Sequence, residues 1–109
     1  MEDFSAAIRQ NERSNEGSDI HLYFNPIIGF YTAFGISAFI ADHIIDGMKA
    51  FSDEYQMPVM IISPHEVLSL RSATNKIQHE PHHYYHFVTR SKVGTEGYTK
   101  WTNQLKRKA

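Results

Sequence analysis

The chain has 109 residues, 41% of them hydrophobic, 13% aromatic and 21% charged, with a formal net charge of −1, so it has the composition of one globular domain with one core and not that of a disordered chain. It contains no cysteine, which excludes disulfides, zinc–thiolate centres, iron–sulfur clusters and thiol catalysis. The acidic start Met1-Glu2-Asp3 is followed by no apolar core of signal-peptide type, and the expected location is cytoplasmic.

The small net charge conceals an asymmetry. Residues 1–56 hold nine acids and three bases, and residues 57–109 hold three acids and eight bases. Five of the seven histidines also lie in the second half. Either the halves attract each other within one fold, or the second half meets an anion.

Residues 2–14 carry Phe4, Ala7 and Ile8 at helical spacing, and the polar run from Asn11 to Asp19 ends this segment, which makes 1–18 a helical arm on a single α/β domain spanning 1–109. Ile20, Leu22 and Phe24 then alternate with His21 and Tyr23, the period of a strand, which Asn25-Pro26 stops. Ile20 to Ala41 lacks Asp, Glu, Lys and Arg, but its densest part falls short of the roughly 20 apolar residues that a bilayer requires, so no membrane association is expected.

Asn25 to Gly35 reads as a loop, and Tyr31 on it is a candidate binding residue. From Ile36 to Tyr55 the period is helical, with Ile40, Ile44, Met48, Phe51 and Tyr55 on one face and Asp42, Asp46, Lys49 and Asp53 opposite. A flatter stripe of Ile36, Phe39, His43, Gly47 and Ala50 runs beside it, where Phe39 and His43 could anchor a second helix.

Met57 to Ile62 is a short apolar run, a buried strand. Ser63-Pro64-His65-Glu66 supplies a cap, a proline at the first helical position and a glutamate three residues after the cap, so a helix starts there. His82 to Arg90 is aromatic and β-branched enough for a third strand, and Tyr98, Trp101 and Leu105 share the face of a last helix with a basic end.

The order αβαβαβα predicts an α/β or α+β fold with a small three-stranded, mostly parallel sheet flanked by helices. In that fold Asn25 to Gly35, Ser63 to Glu66 and Ser91 to Gly97 would converge at one end of the sheet as a ligand edge.

Chemistry-bearing residues concentrate in His79-Glu80-Pro81-His82-His83-Tyr84-Tyr85-His86, with four imidazoles, a carboxylate and two phenols in eight residues. His79, His82 and His86 are candidate ligands for zinc, the one cofactor considered, although the run matches no recognised ligand spacing. His65, in a first helical turn, and His83 are candidate acid–base residues, with Arg90 or Lys92 to stabilise phosphate charge. Lys92, Lys100, Lys106, Arg107 and Lys108 offer a sequence-independent nucleic-acid contact. No spacing of a dinucleotide fingerprint, P-loop, Ser–His–Asp triad, kinase or paired-carboxylate glycosidase is present.

The resulting expectation is a small regulatory or inhibitory protein-binding domain that self-associates through Phe39 and His43. The alternatives are a histidine-dependent phosphodiester or metal-assisted hydrolase and a nucleic-acid-binding accessory protein.

Overall fold

The computed structural model describes residues 4–80 and 83–108, with only the backbone of residues 76–80. The elements in chain order are α1 (Ser5–Arg13), β1 (Asp19–Asn25), β2 (Phe30–Phe34), α2 (Gly35–Asp42), β3 (Met48–Ser52), β4 (Met57–Ile62), α3 (Pro64–Ala73), β5 (Thr74–Glu80), β6 (Tyr84–Thr89) and α4 (Tyr98–Lys108). The six strands form one sheet in the order β3-β4-β2-β1-β6-β5, and every neighbouring pair is antiparallel.

This overturns the expected three-stranded, mostly parallel sheet. Three hairpins replace the crossovers. The expected loop from Asn25 to Gly35 is instead a tight turn at 26–29 followed by β2: the Gly29 amide donates to the Asn25 carbonyl at 2.9 Å, and the Ile27 amide donates to the Asn25 side chain at 3.0 Å. The aromatic, β-branched run Phe30-Tyr31-Thr32 then pairs back on Tyr23, Phe24 and Asn25.

The long helix expected from Ile36 to Tyr55 stops at Asp42, and Met48–Ser52 is the edge strand β3, paired with β4. The same residues satisfy a period of two, with Met48, Ala50 and Ser52 on one face and Lys49 and Phe51 on the other. Pairing with β4 satisfies a row of backbone groups, and Gly47, poor inside a helix, becomes part of the connection.

The first strand is present as β1, and two further expected elements are present as read. β4 occupies Met57–Ile62, and Ser63 caps α3 in a reciprocal box: its hydroxyl accepts from the Glu66 amide at 3.1 Å, while the Glu66 carboxylate accepts from the Ser63 amide at 2.9 Å.

The sheet has two apolar faces. On one, Ile20, Leu22, Tyr31, Ala33, Met60, Ile62 and Phe87 pack against Ile40 and Ala41 of α2 and Val67 and Leu70 of α3. Every residue of α2 from Gly35 to Ala41 is buried, because the helix lies between the sheet and α4. Phe39 meets Tyr98 and Trp101 edge-on, at 5.7 and 5.4 Å between ring centroids, and the Trp101 indole N–H donates to Asp42 at 3.1 Å. On the other face, α1 lays Phe4 and Ile8 over Tyr23 and Phe34.

The antiparallel order also removes the expected three-loop edge. The pairs Asn25–Phe30 and Tyr31–Ile62 put the 26–29 turn and the Ser63 cap at one end of the sheet. The Val93 and Gly94 amides, each 3.0 Å from the Gly17 carbonyl, put the 91–97 segment at the other end.

At that second end Gly17 has φ of +100°, and a Cβ there would lie 2.4 Å from the Gly94 backbone. Gly29 also has positive φ, +72°, but a Cβ there would meet nothing within 4 Å. Gly29→Ala should therefore cost about 1–2 kcal/mol, the backbone term alone. Gly17→Ala should cost clearly more, because the Gly94 backbone must also move. Urea unfolding of both variants measures the difference, and equal losses would contradict the close approach.

Candidate functional site

On the face covered by α1, the alternation of β1 points Asp19, His21 and Tyr23 the same way, and β6 presents Tyr84 and His86 beside them. The register sets His21 directly opposite His86 and Tyr23 opposite Tyr84. The two imidazoles stack at 4.4 Å between centroids with 25° between planes. His86 Nε2 donates to Asp19 Oδ1 at 2.8 Å, and His21 Nδ1 shares a hydrogen bond of 2.7 Å with the Tyr84 hydroxyl. One ligand atom from each of Asp19, His21 and His86 lies within 4.8 Å of the others.

A second cluster supports this one from behind. β2 pairs with β1 only from Tyr23 to Asn25; beyond Thr32 it stays on β4 alone through Phe34 and then turns into α2, so the His21 amide has no partner on β2. The Ser37 hydroxyl takes its place, accepting that amide at 2.9 Å and donating to Glu12 Oε2 at 2.6 Å. Glu12 Oε1 accepts the Ser37 amide at 2.8 Å and the Asn15 side-chain amide at 3.2 Å. Asn15 also donates to the Asp19 carbonyl at 2.7 Å. Phe34, the residue at the α2 cap position, has no side chain able to cap, and Glu12 of α1 supplies an acceptor for the helix instead.

Burial governs the protonation of both clusters. It pushes the Glu12 carboxyl up to about 7, outweighing the donors from Ser37 and Asn15, and the Asp19 charge adds to the rise. It also pushes His21 down to about 4, helped by His86 and opposed by Asp19, so His21 is neutral near neutral pH with a lone pair available. Burial raises the Tyr84 phenol to about 12, with Glu12 and Asp19 adding to it, so Tyr84 remains a protonated hydroxyl.

Of the residues singled out in the sequence, His86 is the one that joins this cluster. His79 lies on β5 with its side chain outside the described residues, and His82 lies outside them altogether. His65 is exposed on the first turn of α3, and His83 is exposed on the β5–β6 connection, its carbonyl accepting from the Phe24 amide at 2.8 Å. Tyr31 is buried between Phe24 and Tyr85. Phe39 is buried under α4, and His43, exposed at the end of α2, is tied through Nδ1 to the Phe39 carbonyl at 2.8 Å. Arg90 donates to the Ser72 carbonyl at 2.9 Å, and Lys92 is exposed beyond β6.

Sequence reasoning missed Asp19, His21 and Glu12. The spacing Asp19-x-His21-x-Tyr23 marks the polar side of the first strand, a usable signal, but nothing local indicates that His86 pairs beside it. The chain matches no family model, no curated protein and no solved structure. Among the described residues no helix is long and apolar enough to cross a membrane.

Opposite titrations of Glu12 and His21 predict a specific pH profile. Between about pH 4.5 and 6.5 the native state holds an extra proton on Glu12 and lacks one on His21, so the two slopes oppose each other. Above about pH 6.5 only Glu12 remains: its contribution is complete below its unfolded value and is lost as pH rises through about 7. Thermal unfolding between about pH 6 and about pH 8 should show wild-type stability falling relative to Glu12→Gln by about 1 kcal/mol, the rest of the Glu12 contribution being lost at lower pH. Parallel profiles would rule out a buried, titrating Glu12.

Proposed function

We propose that this chain is a divalent-metal-binding domain that holds a borderline ion such as zinc with Asp19, His21 and His86. The observation that carries the reading is the convergence of their three ligand atoms within 4.8 Å on one sheet face. Two imidazoles and one carboxylate suit zinc and its transition-metal neighbours.

Several features support it. Asp19 and His86 already meet at 2.8 Å, and an ion would replace the proton they share. His21 is held neutral, so protons do not compete for it near neutral pH. With Nδ1 engaged by Tyr84, Nε2 is the nitrogen left for an ion, in the way outer hydrogen bonds orient ligating histidines. Three protein ligands leave at least one position open, the condition for activating water, so metal-assisted hydrolysis is the chemistry we assign to the centre.

Titration calorimetry with zinc should give one ion per chain. His21→Ala and His86→Ala should each weaken uptake about a hundredfold or more, with unchanged circular dichroism. Binding unaffected by either variant, or no uptake by the wild type, would refute the assignment.

A protein-binding role is the second reading, favoured by the apolar tip of the β1–β2 hairpin. Ile27, Ile28 and Phe30 there are 79%, 47% and 40% exposed. Light scattering across concentration, with and without chelator, separates the two: association that depends on the tip persists without metal and disappears in Ile27→Asp.

A further inference from the structure

On α1, Arg9 and Arg13 stand one helical turn apart beside an open groove of about 550 Å³. It is built by α1 and Asn15 just after it, the start of α2 through Ile36, the β3–β4 connection through Tyr55 and Gln56, the first residue of β4, Met57, and α4 through Tyr98. Its volume falls in the range of small-molecule sites, and its walls mix apolar surface with a few polar groups.

The positive side of the groove is not neutralised by any carboxylate among the described residues. Among the described residues neither guanidinium forms an ion pair with a carboxylate. Arg9 is held in place by neutral partners: its Nη2 donates to the Glu54 carbonyl at 3.4 Å, and its guanidinium lies 4.8 Å from the centre of the Tyr55 ring. The one acid in the wall, Glu12, has its carboxylate oxygens occupied by Ser37 and Asn15 and turned toward the α2 start. Burial keeps that carboxyl protonated further toward neutrality than an exposed acid, which weakens its repulsion of an incoming anion.

Gln56, at the lip of the groove, is the one non-glycine residue with positive φ among those described, at 55°. Glycine would hold the same turn without strain, so the Gln56 side chain sits there at a conformational cost, a kind of strain that clusters at binding positions. Its side-chain amide nitrogen donates to the Asp53 carbonyl at 2.7 Å.

From these features we infer that the groove binds a small organic oxyanion, a carboxylate or phosphate monoester carrying a flat apolar body. The headgroup lies between Arg9 and Arg13, where guanidinium forks match oxyanion geometry, and the body lies against Tyr55, Met57 and Ile36. This site is separate from the Asp19–His21–His86 cluster and does not depend on a metal there.

The test is calorimetric titration of the full chain, with chelator present, using phenyl phosphate, benzoate and inorganic phosphate. Saturable uptake of one phenyl phosphate or one benzoate per chain is expected, tighter than inorganic phosphate, and the tighter of the two identifies the headgroup. Arg13→Gln should weaken it about tenfold or more, the loss of one charge-assisted contact, and Arg90→Gln on the distant α3 side should leave it unchanged. Amide shifts on titration should centre on Arg13 and Gln56. No saturable uptake of either organic anion, equal weakening by Arg90→Gln, or shifts centred elsewhere would overturn the proposal.

Discussion

The fold depends on how the chain fills the gap where β2 departs from β1. A strand that leaves its neighbour exposes backbone donors, and a helix that begins there exposes more of them. Ser37 and Glu12 meet both demands together, with one hydroxyl on the β1 amide and one carboxylate on the start of α2. This places α1 against the sheet, fixes the angle at which α2 crosses to the opposite face, and leaves α2 to be enclosed by α4. A buried carboxylic group is costly unless its partners are complete. Its retention at this junction is therefore the strongest constraint on how the helical layers sit relative to the strands.

The same junction holds the histidine cluster. His21 is bonded through its amide to Ser37 and through its ring to Tyr84, and His86 is bonded to Asp19, whose carbonyl accepts from Asn15. The ligand atoms thus stand on neighbouring rigid strands and are braced by outer partners, an arrangement that reduces the reorganisation an ion must impose. Asp19 serves both clusters, because its charge favours protonation of Glu12 and of His21 alike.

What the sequence made legible was local. The alternation of Ile20, Leu22 and Phe24, the apolar run Met57–Ile62 and the Ser63–Glu66 box each encode their element within a few residues. The failures lay where two periods coincide or where partners are distant. Met48, Phe51 and Tyr55 fit a helical stripe, yet Met48–Ser52 also alternates, and only the presence of β4 as a pairing partner decides for a strand. Phe30–Phe34 reads as part of an aromatic loop because the turn of four residues after Asn25 carries no strong hairpin dipeptide. His86 was visible within a histidine-rich run, but its partners lie 65 and 67 positions earlier in the chain, as His21 and Asp19. Phe39 lies on an apolar stripe that reads as an external anchor, but Tyr98 and Trp101, about 60 positions later, cover it.

The most direct test of the metal-binding account is X-ray absorption at the zinc edge on the protein loaded with one zinc per chain. The account predicts a first shell of nitrogen and oxygen atoms at about 2.0–2.2 Å, with outer scattering from two imidazoles that falls to one in His86→Ala. A shell of water oxygens without imidazole scattering, or two imidazoles persisting when both His21 and His86 are replaced, would contradict it.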